Sequence, residues 1–531
     1  MRVADNRDSV RDFMGCDHGA GASMLDSIRR LAHESAIGGR RAADGLADAL
    51  VVVVSDDRLA GRALELVHQA GSKIWIDLDL ALRSHFSGYS KERIATAKLV
   101  AKMRNPLAIA MAACSPDGRQ RERAAGHPAM WSDTRLLPML TIRTTDWAAP
   151  VRAKALYVLA RVLFADDAPA LRTWALHPGD AAALRAVLPV VVRLGERSRG
   201  SGSLDVVRRA LSRADDATLT DVRQSADWRG RRFAYEVSLD GGRMSEAEMM
   251  RAVFDGSDIV VRTRCAKALV GRAITADRPD ILERLLDGTA AQIRVAALTA
   301  LVQLGRTDHG LRFLADNASM VRLTAQWAVS RAGGDPAAHY RRHLATPSGQ
   351  NPRGYLAGLG DCGTSADAHL VIPHLHDARP RVRAEAVRTL RRLNAETDVI
   401  ALLEDAAPAV VRNVVKTIRS SAAGVPADRL WALLTPDHPR HVRHAARRLL
   451  SGQDPWTRIK ADLILSTDPD EALATTARAD LAAWCSRDLP RAYPSWPAEA
   501  RHELADLVTR SEHAVSPNDT RLLRWLLNAS G

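Results

Sequence analysis

The sequence is poor in aromatic residues, lysine and cysteine. Phe, Trp and Tyr make up 4% of the 531 residues, and lysine occurs 8 times against 67 arginines. The five cysteines are scattered without a close pair, which argues against a zinc site or a disulfide framework and favours a reducing compartment. No run of about 18 apolar residues occurs, and the first residues lack the apolar core of a signal peptide. We therefore expect a cytoplasmic protein without a membrane span.

Alanine, leucine, valine and arginine dominate instead, and the net charge is +13. One interpretation of the excess arginine is an anionic partner, because guanidinium groups bind phosphate and carboxylate. The other is a GC-rich genome, with many arginines paired to aspartates inside the protein. The 62 acidic residues are interspersed with the basic ones, and no polybasic tail occurs. The composition alone leaves both interpretations open.

A repeating unit is clearest in residues 377–393, which read DARPRVRAEAVRTLRRL. The unit has a turn that begins with Asp, a Val-Arg pair and a helical stretch. From Arg262 onward the equivalent arginine recurs at steps of 28 to 32 residues, a period typical of stacked helical units that cannot bury their apolar faces alone. The turn arginines are Arg62, Arg93, Arg152, Arg262, Arg294, Arg322, Arg353, Arg383, Arg412 and Arg443.

Positions at a fixed distance from the turn arginine, here called columns, carry similar residues in most units and predict how each unit packs. An apolar residue precedes the arginine, a small residue follows three positions later and an aliphatic residue follows after seven, which together form a helical apolar stripe. An Asp often lies six positions before the arginine, where it can cap the next helix and face the arginine of its own or an adjacent unit. We predict a structural ladder of these pairs: Asp56 and Arg62, Asp146 and Arg152, Asp316 and Arg322, Asp377 and Arg383, and Asp437 and Arg443.

The turn Asp, the Val-Arg pair, the small residue and the period of about 30 residues resemble HEAT repeats, in the short form of the phycobilin lyase type. The resemblance is firm over residues 250–452 and weaker at 50–105 and 140–165. It implies an all-α fold, an α-solenoid of stacked antiparallel helix pairs. It also implies a right-handed superhelix in which one helix of each pair lines a concave face.

We expect five regions along the chain. The weakest unit of the array should be the one at Arg353, because Gly354, Gly358 and Gly360 stand where other units carry helix formers. Trp484, Trp496 and Trp525 are expected to be buried in the last region. The regions are a flexible N-terminal arm (1–22), N-terminal helical repeats (23–194), a Gly/Ser-rich linker (195–203), a HEAT-like array (204–455) and a C-terminal helical cap (456–531).

No constellation of catalytic residues stands out. No Walker loop, no GxGxxG motif after a strand, no GxSxG elbow and no Cys-His pairing stands out. His441 and His444 lie one helical turn apart, as do His339 and His343, but both sets sit among arginines whose charge opposes a bound cation. We therefore predict no catalytic residue, no metal and no cofactor.

The densest basic patch predicts a binding surface for an acidic protein partner, and hence a scaffold or adaptor that holds another protein along its concave face. Nucleic acid is the alternative, since bacterial DNA-alkylation-repair glycosylases are similar solenoids, and Asp146-Trp147 and Asp227-Trp228-Arg229 would then merit attention. Against this alternative, positive charge does not recur at one repeat position, as a surface that tracks phosphates requires. The patch consists of Arg388, Arg391, Arg392, Arg419, Arg440, Arg447 and Arg448, with Arg443 among them.

Overall fold

The computed structural model describes residues 18–87, 91–164, 181–346, 351–420, 425–487 and 498–529. These residues form 31 α-helices and a few 3₁₀ turns, and they contain no β-strand. The predicted all-α fold of stacked helix pairs is confirmed. None of the helices in these ranges combines the length and the apolar character needed to cross a membrane.

The chain divides into two compact units, residues 1–269 and 270–531. In the first unit, successive helices pack as neighbours, for example α9 with α10, α11 with α12 and α13 with α14. The helices of the first unit, the last of which extends across the division, are α1 (His18–Ile37), α2 (Arg40–Val53), α3 (Asp57–Gln69), α4 (Ile74–Phe86), α5 (Lys91–Val100), α6 (Pro106–Ala112), α7 (Gly118–Ala125), α8 (Ala129–Ser132), α9 (Leu137–Arg143), α10 (Ala149–Leu163), α11 (Ala181–Leu194), α12 (Ser201–Arg213), α13 (Asp216–Arg223), α14 (Trp228–Asp240), α15 (Glu246–Asp255) and α16 (Ile259–Thr275).

Between α17 and α27, most repeats of the second unit consist of a short first element and a longer helix that contains the turn arginine, whereas α21 and α22 have equal lengths. The first element is only a 3₁₀ turn before α25, at Ile400–Glu404. The helices are α17 (Pro279–Leu286), α18 (Ala291–Gln303), α19 (Gly310–Phe313), α20 (Ser319–Arg331), α21 (Pro336–Ala345), α22 (Arg353–Cys362), α23 (Ala368–Val371), α24 (Pro380–Arg392), α25 (Pro408–Ser420), α26 (Ala427–Ala432), α27 (Arg440–Leu450), α28 (Pro455–Ser466), α29 (Glu471–Arg487), α30 (Ala498–Ser511) and α31 (Pro517–Ala529).

Small residues lie where the long helices meet. Ala297, Ala325, Ala386 and Ala446, each three positions after a turn arginine, are fully buried. A methyl side chain at these positions allows neighbouring helices to approach closely, because helix axes separate by the size of the side chains between them. The long helices of successive units therefore form one layer, and α24 packs against α25, which packs against α27.

The glycines of the Arg353 unit have a packing role. A Cβ atom added to Gly354 would lie 2.2 Å from the carbonyl oxygen of Ala315, and one added to Gly358 would lie 2.2 Å from the Tyr340 ring. Tyr340 is fully buried, and its hydroxyl donates to the carbonyl of Leu314. The glycines thus let α22 lie directly against its neighbours, a reason for them that the helix propensities did not suggest.

Some of the predicted region boundaries fall inside helices of the structure. Residues 18–22 of the expected N-terminal arm form the start of α1, and the rest of the arm lies outside the described residues. In the Gly/Ser-rich segment, residues 195–200 connect α11 to α12, and residues 201–203 begin α12. The division into five regions stays a prediction. Trp484 is buried, but Trp525 is 60% exposed, contrary to expectation, and Trp496 lies outside the described residues.

Candidate functional site

The turn arginines hold the turns together through backbone carbonyls. Nη1 of Arg383 donates to the carbonyl oxygen of Asp377, six residues earlier, at 2.9 Å. Arg322 makes the same contact with Asp316 at 2.9 Å, as does Arg152 with Asp146 at 2.7 Å. Three of the five predicted pairs are therefore neighbours, but the Asp contributes its carbonyl and not its carboxylate.

The carboxylate of a turn Asp binds an arginine of the preceding unit instead. Both carboxylate oxygens of Asp405 accept hydrogen bonds from Arg383, at 2.7 and 2.8 Å, and Asp405 also accepts from the backbone N–H of Ala407 at the start of α25. One Asp thus stabilises the turn before a helix and links two units. We call each such inter-unit pair a rung. The rungs are Arg121–Asp146, Arg193–Asp227, Arg232–Asp258, Arg294–Asp316, Arg383–Asp405 and Arg443–Asp468.

Two predicted pairs have a different arrangement. Asp56 caps α3 by accepting from the backbone N–H groups of Arg58 and Leu59, but Arg62 is exposed and contacts no polar group among the described residues. Arg443 is buried and pairs with Asp468, so it does not bind Asp437. Arg322 is a further variation, since its carboxylate partner is Asp361 of α22.

The contacts between turns show that the long helices of the second unit run parallel. Arg383, near the start of α24, reaches Asp405 just before α25. His441, at the start of α27, contacts the carbonyl oxygen of Asp405 through Nε2 at 2.9 Å. Arg443 of α27 reaches Asp468 just before α29. The N-termini of α25, α27 and α29 therefore lie along the same edge of the helix layer.

One rung of this layer is open. Arg412 of α25 and Asp437 before α27 are 25 residues apart, the same separation as Arg443 and Asp468. Both side chains are exposed, and neither forms an ion pair with any residue that the structure describes. The arginine that elsewhere closes a turn is here turned outward.

Arg412 lines a groove of about 530 Å³ between α25, α27 and α29. We call it the α27 groove. Its floor is apolar, because the buried residues Val411, Val415, Ala445 and Leu473 contribute to it. Thr476 also lines the groove, and the basic rim residues are Arg412, Lys416, Arg440, His441, His444 and Arg448.

The charge of the rim is largely uncompensated. No acidic residue is among the described residues that line the α27 groove. The side chains of Arg412, Lys416 and Arg448 are exposed and form no ion pair within the described part of the chain, whereas Arg440 pairs with Asp470 at 2.6 Å. Partial burial lowers the pKa of His444, and the nearby guanidinium groups of Arg447 and Arg448 lower it further.

The structure separates the residues of the predicted basic patch. Only Arg440 and Arg448 line the α27 groove. Arg392 pairs with Asp361 of α22 at 2.5 Å, and Arg388 pairs with Glu385 at 3.1 Å. Arg391 and Arg419, at the ends of α24 and α25, are not among the residues that line the groove.

Arg447 belongs to the core and not to the predicted surface patch. It is 5% exposed and forms ion pairs with Asp462 at 2.7 Å and with Asp480. Burial raises the pKa of Asp462 to about 6, although Arg447 acts in the opposite direction. Helices α28 and α29 supply these carboxylates, so Arg447 stabilises the packing of α27 and is unavailable to a partner.

Both aspartates considered for nucleic-acid chemistry have structural roles. Asp146 is buried and accepts from Arg83, Arg121 and Arg143, so no open space remains around its carboxylate. Asp227 caps α14 through the backbone N–H of Gly230 and binds Arg193. Within the described ranges, no group of three His, Cys, Asp or Glu side chains is placed to hold a metal ion.

Lys416 was not predicted as a binding residue, and Arg412 was predicted only as a turn arginine. The sequence nevertheless contains a signal for both residues. Arg412 and Lys416 are four residues apart on one helix, and they directly follow the apolar Val411 and Val415. His444 and Arg448 have the same spacing on α27. Such pairs indicate one basic face on each helix, but they do not reveal that the two faces meet.

No protein-family model and no curated protein matches this sequence. Among solved structures, the karyopherin Kap121p bound to the extreme C-terminus of the protein phosphatase Cdc14p has 11% identity, a TM-score of 0.28, and coverage of 95% of this chain and 66% of that chain. Importin beta has 13% identity and a TM-score of 0.24, and the match covers 96% of this chain and 86% of that chain. The C-terminal fragment of the cohesin loader SCC2 from Chaetomium thermophilum has 12% identity and a TM-score of 0.29, and the match covers 92% of this chain and 45% of that chain.

These similarities are too low to support an argument about function. The fold assignment therefore depends on the helices themselves, and the match to the short phycobilin-lyase type of repeat stays a prediction.

Proposed function

We propose that this chain is a non-catalytic scaffold that binds a protein partner through an acidic segment held in the α27 groove. The observation that carries the proposal is the set of three exposed cations, Arg412, Lys416 and Arg448, around an apolar floor without an acidic neighbour in the lining. Carboxylates of a partner would compensate these charges, and apolar side chains of the partner would cover the floor.

Affinity purification from the native cell with the full chain and a triple variant, R412A/K416A/R448A, tests the proposal. The expected result is a partner identified by mass spectrometry that the triple variant no longer retains, and whose binding weakens as salt rises. The matched control is R391A/R419A, which removes two cations that do not line the groove. Equal recovery of the partner by the triple variant would contradict the proposal.

Nucleic acid remains the alternative, and the same proteins test it. A phosphate-binding surface predicts a gel shift with duplex DNA that falls steeply with salt. The scaffold proposal predicts no such shift at physiological salt. A shift that the triple variant abolishes would replace the protein partner with nucleic acid at the same groove.

A further inference from the structure

The walls of the α27 groove restrict the conformation of what binds there. They consist of side chains from α25, α27 and α29, whose interior backbone N–H and C=O groups bond within each helix. An extended peptide needs backbone partners for its own N–H and C=O groups, as it finds at the edge of a sheet. A helical segment needs none, because its backbone groups are already paired.

The cations also define a pattern for the partner. Arg412 and Lys416 lie four residues apart on α25, about 6 Å along the helix axis. Arg448 lies on the neighbouring α27, and the buried side chains of Val415 and Ala445 form the apolar floor. The groove thus presents an apolar strip with positive charge on both of its helical walls. Its complement is an apolar stripe that is flanked by carboxylates on both sides.

We propose that the α27 groove binds an amphipathic helix of the partner, with an apolar seam between two rows of Asp or Glu residues. The inference rests on the proposed function and adds the conformation and residue pattern of the bound segment. A carboxylate on one turn of this helix faces Arg412, and one on the next turn faces Lys416. Carboxylates on the opposite side of the seam face Arg448.

Three fluorescein-labelled synthetic peptides of closely matched composition test the inference by fluorescence anisotropy with the full chain. The first places leucines at positions i, i+3, i+4 and i+7 with glutamates on both sides, the second is a scrambled version, and the third carries a central proline that breaks the helix. We expect the first to bind at least about tenfold more tightly than the other two. Its helical circular-dichroism signal should increase on binding.

Charge reversal shows whether the peptide occupies this groove. R412E, K416E and R448E should each weaken binding of the first peptide by about tenfold. R419E is the matched control, because Arg419 is an exposed arginine of α25 that does not line the groove, and it should leave binding unchanged. Circular dichroism of each variant checks that the protein remains folded.

The possible failures separate this inference from the proposed function. Equal binding of the scrambled or proline-containing peptide, lost in R412E, would reject the helical occupant but leave an acidic partner in the groove. Binding that is insensitive to all three reversals, or no binding of the first peptide, would overturn the inference. The proposed function fails on a separate result, which is retention of the native partner by R412A/K416A/R448A.

Discussion

The interface between α25 and α27 differs from the interfaces on either side of it. At α24 and α25, and again at α27 and α29, a turn arginine is joined to the next turn aspartate. Between α25 and α27 the corresponding Arg412 and Asp437 remain apart and exposed. The same residue at the same repeat position is therefore a structural link in one unit and an available cation in the next. Whether an arginine at this repeat position is structural or available for binding therefore depends on the residue it contacts, and not on the position alone.

The first unit shows the opposite extreme at Asp146. This carboxylate accepts from Arg121, Arg143 and Arg83, and the side chains of Arg121 and Arg143 are almost fully buried. Burial raises the pKa of the nearby Asp79, which pairs with Arg83 and Arg143. A closed rung can thus become part of a buried charge network, in which the loss of one member leaves others without a partner.

The largest effect is expected for Asp146→Ala, which leaves Arg121 and Arg143 buried without their shared carboxylate. Removal of one partner of a buried pair costs about 3–5 kcal/mol. Hydrogen exchange should show the loss as faster exchange in α7 and α9. The control is Asp437→Ala at the open rung, where we expect a change within about 0.5 kcal/mol. Similar effects of the two substitutions would remove the distinction between closed and open rungs.

The next effect compares two turn arginines, Arg383 and Arg412. Arg383→Ala should destabilise the second unit by about 1.5–3 kcal/mol, because the half-buried Asp405 loses hydrogen bonds from a charged donor. Arg412→Ala should leave stability within about 0.5 kcal/mol of the native protein, since no described residue bonds to its side chain. Urea unfolding measures both. A clear loss of stability in Arg412→Ala would show that the rung closes in solution.

The smallest effect is expected in the turn before α24, where Arg379 pairs with Asp377 of the same turn. The exposed Arg379 guanidinium holds the pKa of Asp377 at about 2, below its ordinary value of 3.8. The ionised form is thus favoured by folding, so this contribution is present above about pH 4 and is lost as the pH falls towards 2. Arg379→Ala should reduce stability at pH 5 only slightly, because solvent screens this exposed pair. Unfolding curves at pH 5 and at pH 2.5 should differ less for the variant than for the native protein.

The repeat itself was predictable from the sequence, because its period and columns depend on neighbouring residues of one helix. The apolar Val382 before Arg383 and the small Ala386 are both buried, as their columns predicted. The identity of the rung partners was not predictable, because Asp377 and Asp405 are both plausible partners of Arg383 in sequence. Only the stacking of units places Asp405 against the guanidinium group.

The binding surface was predicted less well than the fold. Arginine density pointed to α24 and α27, but density does not distinguish Arg448, which faces solvent, from Arg447, which faces the carboxylates of α28 and α29. Those carboxylates, at Asp462 and Asp480, follow in later units of the chain. The open rung was equally hidden, because Arg412 and Asp437 occur at the same spacing as a closed pair.

The parallel arrangement of α25, α27 and α29 gives the groove a polarity. Each helix carries partial positive charge at its N-terminus, and these three ends lie along one edge. First-turn residues, such as Pro408 and Arg440, line the groove at that end. A bound helix whose C-terminus points to this edge aligns its dipole favourably, whereas the reversed helix brings like partial charges together. The groove can therefore distinguish the two directions of a chain as well as its charge.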